Sequence, residues 1–186
     1  MKSIKVKELM VPLADYATVS EDATLYQAVV ALEEAQKGVG AERDKHRAVL
    51  VLDKSNRVVG KLSRWDVIEG LEPKYDTIKG LKETSRYGFS PEYIKSMIEE
   101  YGLWRKPLED LCRRAAEQKV KDIMYAPDER ELVDEEASLG EAIHQMVVCH
   151  HQSLLVKRGD VIVGILRLSD VFKEVCDGIK ACKIGE

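Results

Sequence analysis

Apolar residues recur along this chain in two rhythms. At Leu25, Ala28, Val29 and Leu32, and again at Leu139, Ala142, Ile143, Met146 and Val147, they return every three or four positions, which places them on one face of an α-helix. Each run follows a hydroxyl residue with an amide or acid three positions on, Thr24-x-x-Gln27 and Ser138-x-x-Glu141. That is the capping box, so two amphipathic helices are predicted to start there. Residues 48–59 and 154–163 are instead dense in Val, Leu and Ile and broken by the turn-formers Asp53-Lys54-Ser55-Asn56 and Lys157-Arg158-Gly159-Asp160. They read as two hairpins. After Gly60 and Gly164 the helical rhythm returns, through Trp65, Val67 and Ile68 in one place and Leu168, Val171, Phe172 and Val175 in the other.

The elements form a repeat. Val6-Lys7-Glu8-Leu9-Met10 matches Val120-Lys121-Asp122-Ile123-Met124 at an offset of 114, and the capped helices match at the same offset. The hairpins match at an offset of 104, so the first copy carries ten extra residues, around 36–45, before its hairpin. Each copy predicts the order β-α-β-β-α, and the expected boundaries are residues 1–70 and 118–186. The intervening residues 71–117 occur once. Ser90-Pro91-Glu92 and Lys106-Pro107-Leu108 have the signature of helix starts and Gly102 that of a stop, so a helical insertion is expected there. It could cover the module, build an oligomer interface or lie beside a ligand cleft.

Composition narrows the classes. With 186 residues, 45% hydrophobic and 33% charged, the chain suits a water-exposed globular protein. A net charge of −4 argues against a dominant nucleic-acid or anionic-membrane partner. Cys112, Cys149, Cys176 and Cys182 show no metal-binding spacing and read as reduced thiols. No apolar run reaches the ~20 residues that span a bilayer, and the N-terminal residues lack the apolar core of a signal peptide. A cytoplasmic location is therefore expected. No phosphate loop, nucleophile elbow or metal-ligand spacing is present, and no enzyme is expected.

The ordered set of openings, helices with Ala28 and Ala142, and hairpins ending in Gly60-Lys61-Leu62-Ser63-Arg64-Trp65-Asp66 and Gly164-Ile165-Leu166-Arg167-Leu168-Ser169-Asp170 resembles a tandem pair of cystathionine β-synthase (CBS) domains, the Bateman module. The resemblance implies an α+β fold, with two β-α-β-β-α repeats packed sheet to sheet about a pseudo-twofold axis and clefts between them. It also implies homodimerisation and a regulatory role: sensing AMP, ADP, ATP or S-adenosylmethionine and signalling occupancy to a partner in trans, with no required cofactor and no metal.

The resemblance further assigns site residues. Ser63 and Asp66 match the family's binding motif, a hydroxyl three residues before an acid. The carboxylate suits a ribose diol and the hydroxyl a phosphate. Ser63-x-x-Asp66 is equally a helix cap that needs no ligand. In the second copy Asp170 is kept and Arg167 replaces the hydroxyl; its planar fork could clamp phosphate, or its bulk could fill the cleft. Counting nineteen residues back from each Asp gives Arg47 and His151, which the resemblance makes phosphate contacts, with His46 one residue out of register and His150 beside His151. Tyr16 and Tyr125 are candidate stacking partners for adenine, or simple packing. The rival function is a ligand-free dimerisation and interaction protein.

Overall fold

The computed structural model describes residues 4–37, 48–78 and 88–182. Arg47, His46 and nearly all of the ten-residue enlargement lie outside the described residues. In chain order the elements are helix α1 (Val6–Leu9), strands β1 (Val11–Pro12) and β2 (Thr18–Ser20), helix α2 (Leu25–Lys37), the hairpin β3 (Ala48–Leu52) and β4 (Val58–Ser63), and helix α3 (Arg64–Glu69). The insertion contributes α4 (Pro91–Glu100) and α5 (Leu108–Ala116). The second repeat follows with α6 (Val120–Ile123), β5 (Leu132–Asp134), α7 (Leu139–Cys149), the hairpin β6 (Ser153–Arg158) and β7 (Val161–Arg167), and α8 (Leu168–Ala181).

Local signals form as the residues dictate. Gln27 N–H donates to Thr24 Oγ1 at 3.3 Å while Gln27 Oε1 accepts from Thr24 N–H at 2.9 Å. Ser138 and Glu141 repeat the exchange at 3.2 and 2.7 Å. In the first hairpin, Asp53 Oδ1 accepts from the N–H groups of Ser55 and Arg57, and Asn56 takes the left-handed backbone the turn requires (φ 58°).

The strands form two sheets, in the orders β2-β3-β4 and β1-β7-β6-β5. β1 belongs to the first repeat but pairs with β7 of the second, Val11 opposite Ile165 and Pro12 opposite Gly164. The reciprocal contact is made by Tyr125, which exchanges two 3.0 Å backbone hydrogen bonds with Lys61. The opening helices cross over in the same way. Val6 N–H donates to Ala137 C=O at 3.0 Å and Leu139 N–H to Ile4 C=O at 2.8 Å; Val120 N–H donates to Ala23 C=O at 2.9 Å and Leu25 N–H to Gln118 C=O at 2.8 Å.

This exchange decides where the cores sit. Val6, fully buried, packs among Leu139, Ala142, Met146, Leu154 and Leu166 of the second repeat. Val120 packs among Leu25, Ala28, Val49, Val51 and Leu62 of the first. Each of these valines contributes roughly 1.5–3 kcal/mol to the opposite repeat's core. The glycines that close the hairpin patterns mark the crossing points. A Cβ at Gly164 would stand 2.6 Å from Val11 O, and one at Gly60 would stand 2.5 Å from Met124 Sδ and 3.1 Å from Tyr125 O. Between the sheets lies a third cluster of Tyr16, Leu50, Leu155 and Ile165.

The insertion folds back beside the first repeat. Ser90 Oγ caps α4 by accepting from Tyr93 N–H, and Gly102 turns the chain with φ 59°. Ile78, Met97 and Leu103 form a small core of their own, next to Trp104, whose indole N–H donates to Tyr75 Oη. Buried Glu72 accepts from Trp104 N–H at 2.9 Å. Ala115 of α5 joins the core of the first repeat.

Candidate functional site: a cleft between the repeats

The ends of β4, β6 and β7 surround a cleft of about 620 Å³ lined by both repeats. Lys61, Ser63 and Trp65 enter it from the first repeat, and Glu131, His151 and Arg167 from the second. Tyr16 and Phe172 add aromatic surface. Burial raises the Tyr16 phenol to about 12, so it stays protonated.

Ser63 stands at the N-terminus of α3, where the strand ends and the helix begins. Its backbone N–H and hydroxyl both donate to Asp66 Oδ2 at 2.6 Å, and Asp66 N–H returns a 3.3 Å bond to Ser63 Oγ. The arrangement is a complete capping box. Ser63 faces the cleft. Asp66 instead lines a second, smaller cleft of about 460 Å³ with Gln118, Asp122, Tyr125 and Ala126, so the structure places the two motif residues on different cavities.

The second copy of the motif is built differently. Arg167 has the extended backbone of an N-cap (φ −97°, ψ 144°) but makes no side-chain cap bond to α8. Its guanidinium forks onto Asp170, Nε to Oδ2 at 2.5 Å and Nη2 to Oδ1 at 2.6 Å, with only 14% and 21% of the two side chains exposed. Where Asp66 holds a hydroxyl, Asp170 holds a cation.

His151 lies in the larger cleft beside residues absent from the sequence-based candidates. Its Nδ1 is 3.3 Å from Glu131 Oε1, which also accepts from Lys61 Nζ at 2.9 Å. The Glu131 side chain is 6% exposed, and two buried atoms, Glu131 Oε2 and His151 Nε2, have no hydrogen-bond partner among the described residues. Lys61 Nζ also lies 5.3 Å from the centre of the Tyr125 ring. Burial holds the His151 imidazole below its ordinary value, opposed by the Glu131 charge and reinforced by that of Lys61.

The pairing register corrects one count. Ala48 faces Ser63 while Ser153 faces Arg167, so the hairpins differ by one residue and nineteen steps back from each Asp land on non-equivalent positions. His151, two residues before Ser153, matches His46 in sequence rather than Arg47. Of the two tyrosines, Tyr16 belongs to the inter-sheet core and the larger cleft, and Tyr125 lies against Lys61 and lines the smaller one.

Lys61 and Glu131 did carry a sequence signal. At the repeat offsets their counterparts are Ile165 and Ala17, so each copy carries one charge, of opposite sign, where the other copy has an apolar residue. Read together, such a pair points to a contact across the repeats.

The model of the CBS domain matches the chain twice, over residues 6–73 and 120–177. This chain belongs to the CBS domain family. Among solved structures, a CBS domain-containing protein from Bacillus anthracis is similar with a TM-score of 0.61 and 18% identity, covering 94% of each chain. CBSX2, solved in complex with AMP, has a TM-score of 0.57 and 19% identity and covers 95% of this chain and 98% of its own. The CBS domain of a bacterial CNNM/CorC family Mg2+ transporter, solved with ATP, has a TM-score of 0.59 and 15% identity, covering 92% and 87%. No match was found among the curated proteins. The tandem CBS fold thus accounts for both sheets, their hairpins and the crossed openings. Among the described residues, no helix of this CBS protein is long and apolar enough to cross a membrane, and no group of three or more His, Cys, Asp or Glu is placed to hold a metal ion.

Proposed function

We propose that this chain is a regulatory module that binds an adenosine-containing nucleotide, AMP, ADP, ATP or S-adenosylmethionine, in the larger cleft between its CBS repeats and signals occupancy to a partner protein in trans. The observation that carries the reading is the 620 Å³ cleft itself, where both repeats meet and aromatic surface stands beside polar groups of either charge. Its size and mixed lining suit a nucleotide. The AMP and ATP found with CBSX2 and with the transporter domain agree with this choice of ligand class.

In this reading Ser63, His151 and Arg167 face the ligand, Asp66 holds the Ser63 hydroxyl and Asp170 holds the Arg167 fork. Arg47, the residue before cleft-lining Ala48 in sequence, is assigned to the phosphate side. A ligand that prefers one arrangement of the repeats shifts the equilibrium toward it, and partner binding is coupled reciprocally.

Calorimetric titration with AMP, ATP and S-adenosylmethionine tests the reading. Binding is expected for at least one, with a stability gain of roughly 2.7 kcal/mol at a hundred times the dissociation constant. Asp66→Ala, which removes the carboxylate that orients the Ser63 hydroxyl, is expected to weaken that binding about ten-fold. Silence from all three ligands would sink the proposal, and unchanged affinity in Asp66→Ala would reduce that residue to a helix cap.

Homodimerisation is favoured by a separate observation. Ile68 on α3 and Leu168, Phe172, Val175 and Ile179 on α8 are apolar and exposed, Phe172 and Ile179 by 65% and 60%. A surface of this kind suits a second copy of the chain. Should every nucleotide fail while the dimer persists, the interaction-protein reading is the better one.

A further inference from the structure

We infer that Glu131 and His151 together read a donor group of the bound ligand, an amino group or a vicinal diol, and not its phosphate. The inference rests on the nucleotide reading and specifies how that ligand lies in the larger cleft.

Hydrogen positions follow from the partners. Glu131 Oε1 accepts from Lys61 Nζ at 2.9 Å and lies 3.3 Å from His151 Nδ1. A ring nitrogen beside a carboxylate oxygen must carry the hydrogen, since two lone pairs facing each other repel. His151 Nδ1 is therefore the N–H, and Nε2 presents a lone pair. Glu131 Oε2 presents lone pairs as well. Both atoms are buried and without a hydrogen-bond partner among the described residues, and both belong to residues that line the cleft.

An unmet acceptor on a carboxylate only 6% exposed is costly, so the site calls for a group that brings hydrogens. A phosphate brings essentially none near neutral pH and adds negative charge beside Glu131. A purine amino group offers two N–H donors, and a ribose offers two neighbouring O–H donors. Either supplies the kind of hydrogen that Oε2 and Nε2 lack. The phosphate is left to the side of the cleft where Arg167 stands. The counterpart of Glu131 is Ala17, which has no carboxylate, so the paired acceptor exists on one side of the pseudo-twofold arrangement.

The test compares AMP and ATP with their inosine counterparts, which replace the amino group by a carbonyl, and their 2′,3′-dideoxyadenosine counterparts, which lack the diol. In the wild-type chain the analogue missing the recognised donor is expected to bind roughly ten- to a hundred-fold more weakly. Glu131→Gln and His151→Phe are each expected to shrink that difference to about two-fold, because the paired acceptor is gone. Equal binding of all analogues, or discrimination that survives Glu131→Gln in a folded variant, overturns the inference and leaves the nucleotide reading standing. If AMP, ATP and S-adenosylmethionine all fail to bind, that reading falls and the inference with it. The wild-type analogue series decides the matter even if removing the partner of Lys61 unfolds the chain.

Discussion

His151 shows how much a single side chain is governed by neighbours remote in sequence. Its burial beside Glu131 and Lys61 depresses the imidazole pKa from 6.5, which ties stability to pH. In the unfolded chain the imidazole takes up its proton near 6.5; in the folded chain it does so at lower pH. As pH falls from about 6.5 through the folded value, the unfolded state binds more protons, and the stability fully present above 6.5 is lost. Urea midpoints measured from pH 8 to 5 are expected to drop for the wild-type chain and to drop less for His151→Gln. The carboxylates held below their usual values of 3.8 and 4.5, among them Asp53 and Glu135, lose their contribution at lower pH and leave this window clear. Residues of this kind were only partly legible in the sequence. Ser63-x-x-Asp66 was visible because its geometry is local, and the structure shows the cap bonds themselves. Lys61 and Glu131 meet across 70 residues, and no local spacing records that contact.

Among the elements, those with the strongest local chemistry were the most legible. The capping boxes, the hairpin turns and the insertion helices after Ser90 and Lys106 stand where periodicity put them, because hydrogen bonds within a few residues decide them. The crossing of the openings was not legible. An apolar face on Val6 or Val120 states that something covers it, not which sheet does so. The glycines at the crossings turn this into an expectation. Gly164→Ala sets a methyl group 2.6 Å from a backbone oxygen, which has little room to yield, whereas the nearest obstacle at Gly60 is the flexible end of Met124 at 2.5 Å. Gly164→Ala is expected to cost about 2–3 kcal/mol and Gly60→Ala about 1, read as a larger loss in melting temperature for the former.

For the molecule as a whole, the cleft and the exposed helices cannot be treated separately. Phe172 lines the larger cleft and also belongs to the apolar surface of α8, and Trp65, 76% exposed, lines the cleft from α3. A ligand that moves either ring alters the surface offered to a second copy. Sedimentation is expected to show a dimer that Ile68→Glu combined with Ile179→Glu converts to monomer, since neither residue lines the cleft; a dimer that survives both changes must use another face. The tandem arrangement itself was legible, because two ordered copies of three motifs repeat. Its asymmetry emerged only when the copies were compared in space, where Arg167 answers Ser63 and an ion pair answers Ile165 and Ala17.

The crossed openings carry one more implication. With Val6 sealing the core of the second repeat and Val120 that of the first, each half is a lid screwed onto the other's jar. Opening either half uncovers a core residue of the other, so the tandem is expected to melt as a single cooperative body. Damage at one crossing, as in Gly164→Ala, then lowers one common transition and does not split the curve in two.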